Sequence, residues 1–367
     1  MNKQIKGLIL AAGFGKRLRP ITDFFPKPLV PFFGKPILIH AIERLSHFAI
    51  SKVAVNLCYK KERVEQVLEG VNDSELFLIR EDPILGTGGV LFLVDGWLGD
   101  ADLFVYNGDI VSDMDIAEIV EQHRKSKAEA TMVVLPQNIK GTTPVFIKKQ
   151  KSKNSETLLA LSGFGNRATT KEQDETERGG VLSSHTLACA HVLSNEFVKN
   201  AVKKMSWSRL SGGYAVSLVD VYGWALARGD LVNIHIHRGF WKDLGTAEDY
   251  WSGHQTILKE AETKHTRFLK INKLFFKLNK KEWFLSGKTI TRSGARIMNP
   301  CFVSNSAKLG KGANIGPFCV LNQGVSIEKG AKISNSVVFP GTSVLEEEIL
   351  EGVILGDGFR RAIIQKR

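Results

Sequence analysis

Residues 8–20 read Leu8-Ile9-Leu10-Ala11-Ala12-Gly13-Phe14-Gly15-Lys16-Arg17-Leu18-Arg19-Pro20, a short apolar run that empties into a glycine-containing basic loop. The run falls well below the ~18 apolar residues of a membrane span. It is also too short for most signal peptides, so it predicts a buried strand closed by glycine. Downstream, strand-like and helix-like patterns alternate. Lys52–Leu57, Leu76–Ile79, Asp102–Tyr106 and Ala130–Leu135 read as strands, and 36–50, 62–68 and 116–123 as helices. Such alternation over residues 1 to about 250 predicts an α/β domain with a mainly parallel sheet and helices on both faces. In these sheets ligands sit at the carboxyl ends of the strands.

The chain has 367 residues, of which 43% are hydrophobic and 24% charged. That balance excludes disordered and collagen-like architectures, and the length suits two domains. The formal net charge is +12. His254–Arg296 alone holds eleven Lys or Arg against three Glu, +8, which leaves +4 for the rest. The basicity therefore belongs to one segment and is a poor indicator of nucleic acid as partner. Within it, Ile271, Leu274, Phe275 and Leu278 follow helical spacing. They predict a basic helical linker over 254–295 that packs its apolar stripe on a neighbouring domain. Cys58, Cys189, Cys301 and Cys319 show neither a CxxC pair nor metal spacing. Reduced structural thiols in a cytoplasmic protein are expected.

From about residue 296 the period changes. Ile297, Val303, Leu309, Ile315, Leu321, Ile327, Ile333, Phe339 and Leu345 recur every six residues. Small or branched residues follow four positions later, as in Cys301, Ala307, Ala313, Cys319, Val325, Ala331, Val337 and Ser343. A six-residue period predicts a parallel β-helix over 296–367 whose hexapeptides each supply one side of a triangular coil, about three coils in all. So short a stack must cover its exposed coil ends, against the first domain or a sister subunit.

Five features of the first domain bear chemistry. The glycines at 13 and 15 let backbone approach a phosphate or base, although a tight strand-to-helix turn would use them too. Neither a Walker loop nor a dinucleotide fingerprint is present, because GxxxxGK[ST] is absent and Leu18 stands where GxGxxG needs glycine. Pro26 and Pro28 hold Lys27 in a stiff, extended backbone, which suits a fixed anion. Gly86, Thr87, Gly88 and Gly89 open an apolar helix, with Thr87 as a possible cap. Asp109 ends the strand DLFVYNGD, and Asp243 lies in FWKDLGT; two loop aspartates near basic loops can share one Mg2+. Asp113 and Asp115 read as helix N-terminal residues, and His191, His235 and His237 as core or edge histidines.

Taken in order, LILAAGFGKRLRP, PKPLVPFFGKP, EDPILGTGG, NGD and FWKDLGTAEDY resemble the nucleoside-diphospho-sugar pyrophosphorylases, the nucleotidyltransferases that join a sugar 1-phosphate to an NTP. The resemblance covers residues 5 to about 250 and implies a Rossmann-like sheet. The repeat fits as well: longer members, including many mannose-1-phosphate guanylyltransferases, carry a C-terminal left-handed β-helix. The resemblance implies that the loop Gly13, Gly15 and Arg17 wraps the triphosphate and that Lys27 contacts the reacting phosphates. Leu10, Ala12 and Gly13, with Gly86, Thr87 and Gly88, would cradle base and ribose. Asp109 and Asp243 match the aspartates that bind the catalytic Mg2+. The expected partners are an NTP, a sugar 1-phosphate and further copies of the chain as a homo-oligomer, with no nucleic acid and no membrane span.

One family feature is missing. Many members hold the sugar and its phosphate with a Glu-Lys-Pro motif, and none occurs between Phe146 and His191. Arg167, Lys171 or Arg178 would have to substitute. The usual sugar-side glycine is not evident in Ser184–His191 either. GTP with mannose 1-phosphate is the first expectation. Thymidylyl or uridylyl transfer to glucose 1-phosphate, guanylyl transfer to a heptose phosphate, and a non-catalytic regulatory subunit are the alternatives. An acyltransferase β-helix generally needs a histidine base, and the last histidine is His265.

Overall fold

The computed structural model describes residues 3–151, 157–165, 184–263, 282–284 and 288–363. Nine strands form the main sheet: β1 (Ile5–Leu10), β2 (Lys52–Leu57), β3 (Glu75–Arg80), β4 (Asp102–Asn107), β5 (Ala130–Leu135), β6 (Pro144–Lys151), β7 (Thr157–Phe164), β8 (Ser184–Leu193) and β9 (Val232–Ile236). Their order is β3-β2-β1-β4-β8-β5-β9-β7-β6. The first four run parallel, as do β5 and β9. The sheet is mixed: seven of its nine strands share one direction, with β8 inserted antiparallel between β4 and β5 and β7 reversed against β9 and β6.

Both faces of the sheet are covered, so apolar side chains of its central strands are buried on either side. Leu8, Leu103 and Val105 pack in one cluster with Val94 and Leu98 of the helix Leu91–Leu98 and Val221 of the helix Leu218–Arg228. Their neighbours Ile9, Phe104 and Tyr106 point the other way and meet Leu38, Ile42 and Leu45 of the helix Ile37–His47. The period-two alternation of a strand therefore splits each run between two cores. Among the described residues, no helix is long and apolar enough to cross a membrane.

The C-terminal region is a parallel β-helix with three sheets of six, five and three strands. Ile297, Ile315 and Ile333 align across neighbouring strands on one side. Val303 and Leu321 align on a second side, and Leu309 and Ile327 on the third. Each of these steps spans eighteen residues, three hexapeptides. The next coil is shorter. Leu321 is followed by Val338, Ile327 by Val344 and Ile333 by Leu350, each a step of seventeen.

This missing residue overturns two of the nine periodic positions. Beyond Ile333 the interior is filled by Val338, Val344 and Leu350. Leu345 is 66% exposed, and Phe339 leaves the β-helix interior to pack on the first domain. Ser343 loses its corner position likewise; it is exposed while Thr342 is buried. A one-residue slip reverses the facing of every following side chain, and a count at constant period cannot register it.

The expected burial of the stack also takes another form. It is a side of the β-helix, not its coil ends, that packs on the first domain. Phe302, Val320, Val337 and Ile354 align on the outward face of the six-stranded sheet. All four are buried in a cluster with Phe32, Phe33, Tyr250 and Ile257. On the other sides most outward positions are polar, as in Arg296, Asn314 and Lys332, and Lys308 and Ser326, while Ile349, which follows Lys332, is left exposed. The partner surface includes the helix Ala247–Glu262, whose Trp251 Nε1 donates to the Asn335 carbonyl at 2.6 Å. That carbonyl lies in the shortened corner itself. The predicted helical residues Ile271, Leu274, Phe275 and Leu278 lie outside the described residues.

Candidate active site

The strand ends converge as the sheet rule requires. β1 ends at Leu10 and β4 at Asn107, and the Gly108 amide donates to the Leu10 carbonyl at 2.9 Å. A Cβ on Gly108 would come within 3.1 Å of that oxygen. Beyond the strand ends opens a cavity of about 230 Å3, lined by Leu10, Ala12, Gly13, Lys27, Gly86, Thr87 and Asp109 among others. Nothing would obstruct a Cβ on Gly13, which faces open space. A larger cleft, about 810 Å3, opens at the opposite end of β1 near Lys3 and Lys52. Charged groups there are engaged in surface pairs, Lys52 with Glu75 and Lys125 with Glu121.

The first two motifs interlock. Gly15 adopts φ 65°, and a Cβ there would meet Thr22 at 2.7 Å and the Lys27 Cβ at 3.2 Å. Thr22 Oγ1 donates to the Gly15 carbonyl at 2.9 Å. Only glycine suits both the left-handed backbone and the close approach. Lys27 Nζ in turn donates to Asp109 Oδ2 in a short ion pair.

The two aspartates are brought together by a two-stranded ladder in which Trp241–Asp243 pairs with Ile110–Ser112, placing Asp243 beside Ile110. The Leu244 amide donates to the Asp109 carbonyl at 3.0 Å. Arg17 Nη2 lies 3.7 Å from Asp243 Oδ2. Burial and the Asp109 charge push the Asp243 carboxyl above its ordinary range, against the pull of Lys27 and Arg17. Its Oδ1 is buried without a hydrogen-bond partner among the described residues. The structure thus places Lys27 and Asp109 in the lining of the cavity, with Asp243 and its partner Arg17 beside Asp109.

The third motif admits a close backbone approach, by a segment of the chain itself, while Gly86 and Thr87 also line the cavity. A Cβ on Gly86 would come within 2.4 Å of the Val216 carbonyl, and one on Gly88 within 2.6 Å of the Ser217 carbonyl. The amides of Gly88 and Gly89 donate to the Val216 carbonyl at 2.8 and 3.0 Å. These glycines dock the segment at 216–217, and Gly88 is buried there. Thr87 Oγ1 accepts from the Leu218 amide at 3.0 Å. It thereby serves the start of the helix Leu218–Arg228, not its own helix. Asp115 does cap the helix Ile116–Ser126, accepting from the Glu118 amide at 3.1 Å. Asp113 does not; it is buried with its Oδ1 3.2 Å from His237 Nε2. His191 is buried against the Tyr222 hydroxyl at 2.9 Å, and His235 bonds Gln122.

Several residues escaped the sequence reading. Asn56, at the end of β2, accepts from the Ala11 amide at 2.7 Å and donates to Glu81 Oε1 at 2.7 Å. Glu81 Oε2 accepts from the Leu85 amide at 2.8 Å, and burial raises its pKa despite both donors. This buried pair ties the Gly13 loop to the Gly86 loop. Its signal was a polar residue at the carboxyl end of each of two apolar strands. Gly245 is a further case, since a Cβ there would lie 2.8 Å from Arg17 Nη2 and from Asp243 Oδ1. Cys189 has φ 57° at a bulge in β8, where pairing with β5 shifts between Leu187 and His191. Asp109, Asp243 and Lys27 act on its thiol, which burial pushes far above its ordinary value. A left-handed backbone favours glycine, so Cys189 occupies the glycine-like position of that strand. Arg167, Lys171 and Arg178 lie outside the described residues.

Fold and site together define a nucleotide-handling α/β domain joined to a β-helix. Residues 6–143 match the family described as Nucleotidyl transferase, and residues 297–362 match the GMPPB C-terminal domain. The chain is a nucleotidyltransferase whose two regions match these two models separately. It is 25% identical over 360 residues to mannose-1-phosphate guanylyltransferase 1 of Arabidopsis thaliana, covering 96% of this chain and 86% of that one. Against the mannose-1-phosphate guanylyltransferase of Mycobacterium tuberculosis it is 25% identical over 347 residues, 93% and 81% of the two chains. The solved inositol-1-phosphate CTP transferase of T. maritima shares the fold, with a TM-score of 0.53 at 16% identity over 68% of this chain and 92% of that one.

Proposed function

We propose that this chain transfers a guanylyl group from GTP to mannose 1-phosphate, giving GDP-mannose and pyrophosphate, with Mg2+ as cofactor. The observation that supports the reading is the pair Lys27–Asp109 in a glycine-lined cavity at the carboxyl ends of the strands, with the pair Arg17–Asp243 next to Asp109. Relatives named for this reaction span nearly the whole chain.

The reaction asks for no side-chain nucleophile. An oxygen of the sugar 1-phosphate, ionised at neutral pH, attacks the α-phosphorus of GTP. A new phosphorus–oxygen bond forms, the bond to the β-phosphate oxygen breaks, and pyrophosphate leaves with that electron pair. The obstacle is the meeting of two anions, so fixed cationic groups and backbone donors carry the catalysis. In this reading Arg17 binds the triphosphate and Lys27 the reacting phosphates. The backbone from Leu10 to Gly15, with Gly86 and Thr87, cradles base and ribose.

Asp109 and Asp243 suit a hard divalent cation. The buried Asp243 Oδ1 lacks a donor among the described residues, and the two carboxylates repel one another. Among the described residues no group of three or more His, Cys, Asp or Glu is assembled for a metal. That agrees with Mg2+, which takes one or two carboxylates and completes its shell with phosphate oxygens and water. When bound, it would offset charge on the transferring phosphate.

The division 1–253, 254–295 and 296–367 belongs to the same proposal, as does assembly into a homo-oligomer. The four free cysteines suit a cytoplasmic setting. The test is pyrophosphate release with Mg2+, crossing the five common NTPs against a panel of sugar 1-phosphates. GTP with mannose 1-phosphate is expected to be the most productive pair. Preference for glucose 1-phosphate with dTTP or UTP would overturn the substrate assignment.

A further inference from the structure

The residues on either side of Lys27 are held by the β-helix. Phe25, two residues before it, packs on Phe339, with ring centroids 5.2 Å apart. Phe24 packs on Phe359 at 5.3 Å. After Lys27, Phe33 meets Phe302 edge-on at 5.6 Å. The Gly34 amide donates to Asn322 Oδ1 at 3.0 Å, and Gln323 Nε2 donates to the Gly34 carbonyl at 2.7 Å. The loop around Lys27 is thus fastened at both ends to a domain that contributes none of the gathered charged residues.

Phe339 is the hinge of this arrangement. It is fully buried, and it is the residue that the seventeen-residue coil turns out of the β-helix interior. Its ring contacts are Phe25, Tyr250 and Phe359, at 5.2, 5.9 and 5.1 Å. Its neighbour Val338 faces the opposite way, into the β-helix core. Removing the Phe339 ring would open a cavity beneath Phe25 and free the backbone that aims Lys27. Misplacing a catalytic group by about 1 Å costs about 100-fold in rate.

We infer that Phe339 is a positioning residue, through which the β-helix sets the place of Lys27 and hence the rate of nucleotidyl transfer. This rests on Lys27 acting at the reacting phosphates. The adjacent pair supplies the test in the full-length chain. Phe339→Ala is expected to lower kcat about 10-fold and to speed hydrogen exchange in residues 22–34. Val338→Ala also destabilises the β-helix, yet is expected to keep kcat within about 2-fold and to leave exchange in that loop unchanged. Phe339→Leu is expected to restore most of the lost kcat. Should Phe339→Ala fail to fold, Asn322→Ala, which releases Gly34, replaces it with the same expectation. Equal loss of kcat in the Phe339 and Val338 variants, or loop exchange unchanged in Phe339→Ala, would overturn the inference. A wild-type chain that transfers to no sugar 1-phosphate would instead defeat the functional reading, and the exchange measurement would still judge the clamp.

Discussion

The two regions of this molecule are built on opposite principles. The α/β domain repeats nothing. Each loop at the carboxyl end of its sheet differs from the next, and the charged groups come from sequence positions as far apart as Arg17 and Asp243. The β-helix repeats one unit, and its interior follows one rule from Ile297 to Ile333. The comparison teaches that a periodic region is informative where the period fails. Phe339, which the constant period would place inside, is fully buried and instead joins Phe302, Val320, Val337 and Ile354 against the other domain.

Acid should separate the two regions most strongly. His123, His191 and His254 are buried, and burial lowers their pKa from 6.5 to about 4, about 3 and about 3. The native fold therefore binds fewer protons than the unfolded chain below pH 6.5. Stability is fully present above that value and falls as pH drops toward 4, by up to about 4 kcal/mol per pH unit for the three together. The β-helix has no histidine. Between pH 6.5 and 5, hydrogen exchange should rise first in β8 and the helix Ile116–Ser126, with residues 297–338 protected longer. Simultaneous loss in both regions would show that they melt as one unit.

The register slip gives a smaller effect of definite sign. Val344→Ala empties a buried site and is expected to cost about 2 kcal/mol. Leu345→Ala, one residue on, is expected to change stability by less than about 0.5 kcal/mol. Thermal denaturation of the two variants decides it. The reverse order would restore the constant six-residue period and place Leu345 inside.

Much of this was legible in the sequence, and the limits have physical causes. β2 and β5 match their predicted spans because an apolar run between turn residues is a local signal. The strand character around His191 is legible, but the antiparallel place of β8 is not, because its partners, β4 and β5, are distant in sequence and its direction is set by tertiary pairing. Arg17, Lys27, Asp109 and Asp243 were found through motifs and do converge. Asn56 and Glu81 were not, because a polar residue at a strand end has many local uses. Gly86 and Gly88 were noticed, but the backbone they admit, at Val216 and Ser217, lies 130 residues away. The docking face Phe302, Val320, Val337 and Ile354 is not evident from a constant six-residue period, which assigns Val337 to a corner.

In the proposed reaction the aspartate pair holds the metal at the strand ends, while the β-helix positions Lys27 beside it. Asp109→Asn tests this most directly, since it removes a charge without changing shape. With the productive NTP and sugar 1-phosphate and saturating Mg2+, turnover is predicted to fall at least ~100-fold, about 3 kcal/mol in the barrier, with the fold intact by thermal melting. Turnover close to wild type would remove Asp109 from the metal site and contradict the account.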